Sequence, residues 1–278
     1  MVTRAFVMDI RRLWNRQELW VVLVVGALFA VMGIVETNYV NGLFTTLHTV
    51  SSMQTSSMLG NSQVGNVLFA LLPLLATFPC AWFYYSDCES HMVPILISRL
   101  GRRSYYSGRT LAISVSAFVV SVFPYLLNLV FSLIAYPFPA YGLNANFVYK
   151  AAPASSENVF NVLFPQLYMN EPILHALSLI LLLGVYSTLM ALLSFGLTLY
   201  YRKNMAIALA STTVIGFISI LLLNVLKQSD WVLPLQLTTD LLYSRGNLYI
   251  VLLEFAVLLF INLGLIGSKV IIDRDVLP

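Results

Sequence analysis

The side chains most able to do chemistry are gathered in residues 87–109, DCESHMVPILISRLGRRSYYSGR, the longest polar and basic interruption of an otherwise apolar chain. Arginines stand there at 99, 102, 103 and 109, with acids only at Asp87 and Glu89. Such charges hold a partner or a headgroup; they do not by themselves make or break bonds. Groups of the catalytic kind are scattered. His48, His91 and His175 fall in three different loops or span ends, with no acid at helical spacing to complete a zinc or protease site. Gly101, Gly108, Arg109 and Thr110 imitate a phosphate loop, but six residues separate the glycines instead of four and the lysine is missing. No ATP site is expected in this chain. Cys80 and Cys88 would sit ~12 Å apart along one helix, beyond disulfide reach, and are expected as reduced thiols.

The elements that position these residues follow from composition. A chain that is 59% hydrophobic and 10% charged, with a mean hydropathy of +0.84, belongs to the polytopic membrane class, and 278 residues leave room for about six or seven spans of ~20 residues and nothing larger. The fold is therefore expected to be all-α, one transmembrane domain with six spans. Residues 1–16 place Val2, Phe6, Ile10, Leu13 and Trp14 three and four apart with Arg4, Arg11, Arg12 and Arg16 between them. That pattern predicts an amphipathic interfacial helix with its arginines towards anionic headgroups. The spans are expected at 19–36, 66–86, 110–136, 173–201, 205–226 and 248–268. Pro73 and Pro79 should bend the second and Pro124 the third.

Two polar residues lie inside expected spans. Glu254 reads either as a solvated helix end or as a group facing a transport path, and Asn128, near the middle of the third span, is a second candidate for that path. Gly184, Gly196, Gly264 and Gly267 would let helices approach closely. Charge sets the orientation: twelve of the fifteen Lys and Arg fall on the side of residues 87–109, and only Lys150, Lys227 and Arg245 fall opposite. Positive charge collects on the cytoplasmic side, so both termini are expected there in a multi-pass protein of a bacterial inner or plasma membrane. A nucleic-acid surface is not indicated.

Residues 87–109 are ordered as an acid (Glu89), an apolar run (92–97), Ser98-Arg99, Arg102-Arg103, Tyr106, and Gly108-Arg109 opening the next span. This resembles the first cytoplasmic loop of ABC-2 type permeases, the membrane subunits of ABC exporters. Ser90-His91 stands where that family has Gly-Thr, and Arg109 where a lysine is commoner. The likeness extends to the N-terminal amphipathic helix, six spans, internal termini and a re-entrant outer connection before the last span. The resemblance implies a coupling helix within 89–100 that seats in a cleft of a separate ATPase subunit. Met92, Ile95 and Leu96 would bury there, with Glu89, Ser98, Arg99, Arg102 and Arg103 around them. It also implies two ATPase copies that bind the ATP and Mg, no cofactor or metal in this chain, and a second permease chain completing a homo- or heterodimer in the lipid bilayer.

The expected function is export of a hydrophobic or amphipathic substrate (a peptide, lipid or drug), without enzymatic activity in this chain. The principal rival is a non-transporting scaffold or accessory subunit of a larger membrane complex. A secondary transporter is disfavoured by the lack of mid-span acids for ion coupling, and a membrane enzyme by the scattered histidines.

Overall fold

The structure, a computed structural model, describes residues 2–41, 57–59, 62–135, 163–164, 167, 171–200 and 248–272. The expected span at 205–226 and its outer connection lie outside the described residues, as do His48 and Lys150. Within them the chain is helical, without strands: α1 (Val2–Trp14), α2 (Gln17–Asn41), a 3-10 turn (Ser57–Leu59), α3 (Gln63–Glu89), α4 (Met92–Leu100), α5 (Arg102–Ala135), α6 (Pro172–Tyr200) and α7 (Leu248–Ile272). Five of these, α2, α3, α5, α6 and α7, are long and apolar enough to cross a membrane. Helix is the form such runs must take in lipid, because it satisfies every backbone donor and acceptor within the segment.

α5 begins eight residues before 110, the expected start of the third span. Its 34 residues reach about 51 Å, longer than a ~30 Å hydrocarbon core. Residues 87–109, read from sequence as one loop, are the last turn of α3, all of α4 and the first two turns of α5.

Packing makes α3 and α6 the centre. About two-thirds of their apolar windows are buried (65% and 67%), against 33% for α2 and 11% for α7, which form the edges of the described bundle. Exposed Trp20, Val21, Val24, Leu28, Met32 and Val35 run down α2 as a stripe suited to acyl chains. Two of the four glycines expected at helix contacts are there: a Cβ on Gly184 would strike Val122 and Phe118 of α5 within 2.6–2.7 Å, and one on Gly196 would reach Leu265 of α7 at 3.1 Å. Gly264 and Gly267 have open space. Asn128 donates from Nδ2 to the Ala30 carbonyl at 3.1 Å, tying α5 to α2, and Asn262 donates to the Leu189 carbonyl at 2.9 Å, tying α7 to α6.

The ends are set by local chemistry. Ser62 caps α3 by accepting from Gly65 N at 3.0 Å, while the Glu36 carboxylate accepts from Ser62 Oγ, Gln63 N and Val64 N at 2.6, 2.8 and 3.1 Å. One acid of α2 thus satisfies the free donors that begin α3. At the opposite end α4 is set off by two turns of positive φ, His91 at 52° and Gly101 at 78°. Gly101, with ψ at 143°, occupies a region essentially reserved for glycine. Gly101→Ala is therefore expected to cost about 1–3 kcal/mol through the backbone alone, since nothing lies within 4 Å of the added methyl. Thermal melts of purified variant and parent test this, and equal melting temperatures would show that the turn is not held as described.

Candidate functional site

Contacts bring Arg12, Arg16, Asp87, Arg102, Arg109, Tyr200 and Lys269 to one end of the bundle, the basic end. α6 and α7 both finish there, because Tyr200 OH bonds the Leu265 carbonyl and Ser268 Oγ. The chain accordingly leaves α6 at the basic end and enters α7 at the other.

α4 sits at this end, between the last turn of α3 and the first of α5. Its nine residues separate into faces by helical periodicity. Val93 is buried and Leu96, Ile97 and Leu100 are half-buried against the cluster that includes Tyr84, Tyr105 and Phe195. The other face shows Met92 (39% exposed) and Ile95 (50%), with Pro94, Ser98 and Arg99 also exposed. Of the three apolar residues expected on a docking face, Met92 and Ile95 therefore point outward and Leu96 turns partly into the chain's own core. Glu89 and Arg103 are exposed; Ser98 Oγ bonds the Ile95 carbonyl at 2.9 Å. Arg102 is half-buried and donates to the Lys269 carbonyl at 2.6 Å, which joins α5 to the last turns of α7 rather than leaving the guanidinium on the rim.

Among α1, the end of α3 and the start of α5 is a buried ion cluster that the sequence did not disclose. Asp87, on the last turn of α3, accepts two bonds from Arg12 of α1 (2.5 and 3.2 Å) and one from Arg109 of α5 (2.8 Å). Arg109, fully buried, also donates to Tyr105 OH at 2.8 Å and the Phe83 carbonyl at 3.2 Å. Its guanidinium lies 3.9 Å from the centre of the Phe83 ring, which Arg12 and Arg16 flank at 5.0 and 5.1 Å. Arg16 adds a bond to Ser86 Oγ at 2.6 Å. One carboxylate and one aromatic face thus gather three arginines and lock α1, α3 and α5 together.

α1 is amphipathic, and the arginines in and just after it divide. Arg4 and Arg11 are exposed, whereas Arg12 and Arg16 turn into the protein, because Asp87 and Phe83 lie opposite their face. The buried stripe is Ala5, Asp9 and Leu13, and Ala5 fits against Gly108 so closely that a Cβ there would stand 2.6 Å away. Asp9 is a second acid of the cluster, 4.0 Å from Arg12; burial pushes its carboxyl above the ordinary range against the pull of Arg109 and Arg12.

The two candidates for a transport path sit in different contacts. Asn128 spends its amide on α2, and half-buried Glu254 of α7 lies within electrostatic reach of Tyr186 on α6. Cys80, buried, and Cys88, half-buried, are not joined in a disulfide. Among the described residues no three His, Cys, Asp or Glu side chains stand together to hold a metal ion.

Fold and site together define a class: an all-helical chain with several helices fit to cross a membrane, and a short surface helix rooted in a buried ion cluster at its basic end. No protein-family model matches the chain, nor does any curated protein or solved structure.

Proposed function

We propose that the chain is the membrane subunit of an ABC-2 type exporter, and that α4 is the helix through which a separate ATPase acts on it. The observation that carries this reading is α4 itself. A nine-residue helix is held off both neighbours by positive-φ turns, anchored on one face by Val93, Leu96, Ile97 and Leu100, and leaves Met92 and Ile95 exposed beside Glu89, Arg99 and Arg103. Two apolar side chains ringed by charge suit a partner's groove: the first exclude water and the second set orientation. The end of α3 and the start of α5, between which α4 lies, are bonded to each other and to α1 through Asp87, so a push on α4 reaches all three helices.

On this reading two ATPase subunits bind ATP and Mg, a second permease chain completes the pore, and the basic end faces the cytoplasm of a bacterial inner or plasma membrane. The substrate is hydrophobic or amphipathic, a peptide, lipid or drug, in keeping with apolar spans and an uncharged first outer segment (37–65). Catalysis resides in the partner.

The test is co-expression with a candidate ABC ATPase subunit and recovery from detergent. Met92→Asp combined with Ile95→Asp is expected to lower ATPase recovery at least about tenfold, since exposed interface anchors carry ≥ ~2 kcal/mol each. Undiminished recovery would overturn docking at α4. Binding without vanadate-sensitive turnover would favour the scaffold reading.

A further inference from the structure

Arg12 and Arg109 share Asp87, and Asp9 is left without a donor. Its side chain is wholly enclosed (0% exposed), yet neither carboxyl oxygen receives a hydrogen bond. Arg12 Nη1, three residues along the same helix, stands 4.0 Å off because that guanidinium is turned to Asp87. Arg109 Nε, equally buried, has no acceptor. A buried carboxylate stays ionised when donors bond it; enclosed without any, it favours its proton.

We propose that Asp9 is a proton-binding site that governs the seating of α1: protonated, the helix lies against α5; ionised, it lifts away. The groups facing Asp9 are Arg12 on α1, Asp87 on α3, and Arg109 and Tyr105 on α5. Of these, burial and Asp87 favour the neutral acid and the two arginines oppose it, burial being the larger effect. The carboxyl of seated α1 therefore binds its proton more tightly than that of undocked α1. Seating is strongest below the undocked carboxyl's pKa and weakens as pH rises through the raised, seated one.

The consequence reaches α4. α1 lies on the opening turns of α5 at Gly108, and its Arg12, with Arg16 two residues past its end, grips the closing turn of α3 at Asp87 and Ser86. These two turns flank α4 on either side, so the proton on Asp9 sets how firmly its root is held. The device needs no ATPase and stands whether or not α4 docks one.

The experiment is hydrogen exchange of the α1 amides, corrected for intrinsic rate, on the full chain in lipid nanodiscs between about pH 4 and pH 8. In the parent the open population is expected to grow up to ~10-fold per pH unit across the window between the two carboxyl pKa values. In Asp9→Asn, which cannot ionise, it should stay flat and low. An infrared titration supplies a measurement without relying on that variant: the parent should lose a protonated-carboxyl band over the same window in which α1 opens. A pH-independent α1 in the parent, the same pH dependence in Asp9→Asn, or no carboxyl band lost would each overturn the proposal.

Discussion

Asp87→Asn is expected to lower the stability of the folded chain by about 3–5 kcal/mol, the usual cost of removing one partner from a buried ion pair. The effect is large because of what remains. Arg109 is fully buried and would lose its one hydrogen-bonded carboxylate, keeping Tyr105 OH, the Phe83 carbonyl and the rings of Phe83, Tyr84 and Tyr105, with Asp9 nearby but not bonded to it. The reverse change is milder: Arg109→Met leaves Asp87 bonded twice by Arg12, whose side chain is 29% exposed and partly hydrated. Arg12→Met should cost less again. The double variant Asp87→Asn/Arg109→Met should lose less than the sum of the singles, because the stranded charge goes with the second change. Thermal melts in one detergent or nanodisc composition give the order, and an Asp87→Asn that melts with the parent would show that the cluster does not hold α1, α3 and α5.

Gly108→Ala is the second large effect, and it acts on a different object. The methyl would stand 2.6 Å from Ala5 Cβ, 2.9 Å from Phe6 N and 3.1 Å from the Ala5 carbonyl carbon. Two of these are backbone atoms of a helix, which cannot rotate aside as a side chain can, so α1 must move as a unit. Overpacking of this kind costs about 1–3 kcal/mol. The outcome should be an α1 cleaved readily by protease, with the bundle melting less perturbed than in Asp87→Asn, because Asp87 retains Arg109. Valine should release α1 more fully. Unchanged protease resistance in both variants would mean that α1 is not seated on α5 through Gly108.

These two expectations mark where sequence and structure part company. The arginines of residues 1–16 read as a headgroup-facing set because periodicity shows which residues share a face, not what that face meets. In lipid this ambiguity is general, since acyl chains and a protein interior are similarly apolar and the pattern cannot separate them. Asp87 and Arg12 are 75 positions apart, and no spacing rule connects them. Asp9 offered one faint signal, an acid on the apolar side of a basic helix, three residues before Arg12.

What the amino-acid order determined by itself was whatever depends on local runs: an all-helical chain, apolar stretches long enough to cross a membrane, and the crowding of positive charge in the segments between them. Helix formation and the cost of burying charge act over a few residues, so they are legible there. Only the tertiary structure decided that α5 begins at Arg102 and that Leu96 turns inward while Met92 and Ile95 turn out. It alone decided that Arg12, Arg16 and Arg109 converge on Asp87 and Phe83, with Asp9 sealed beside them. Those outcomes rest on which helices meet and at what height, and a buried charge is settled by the partner that arrives from elsewhere in the chain.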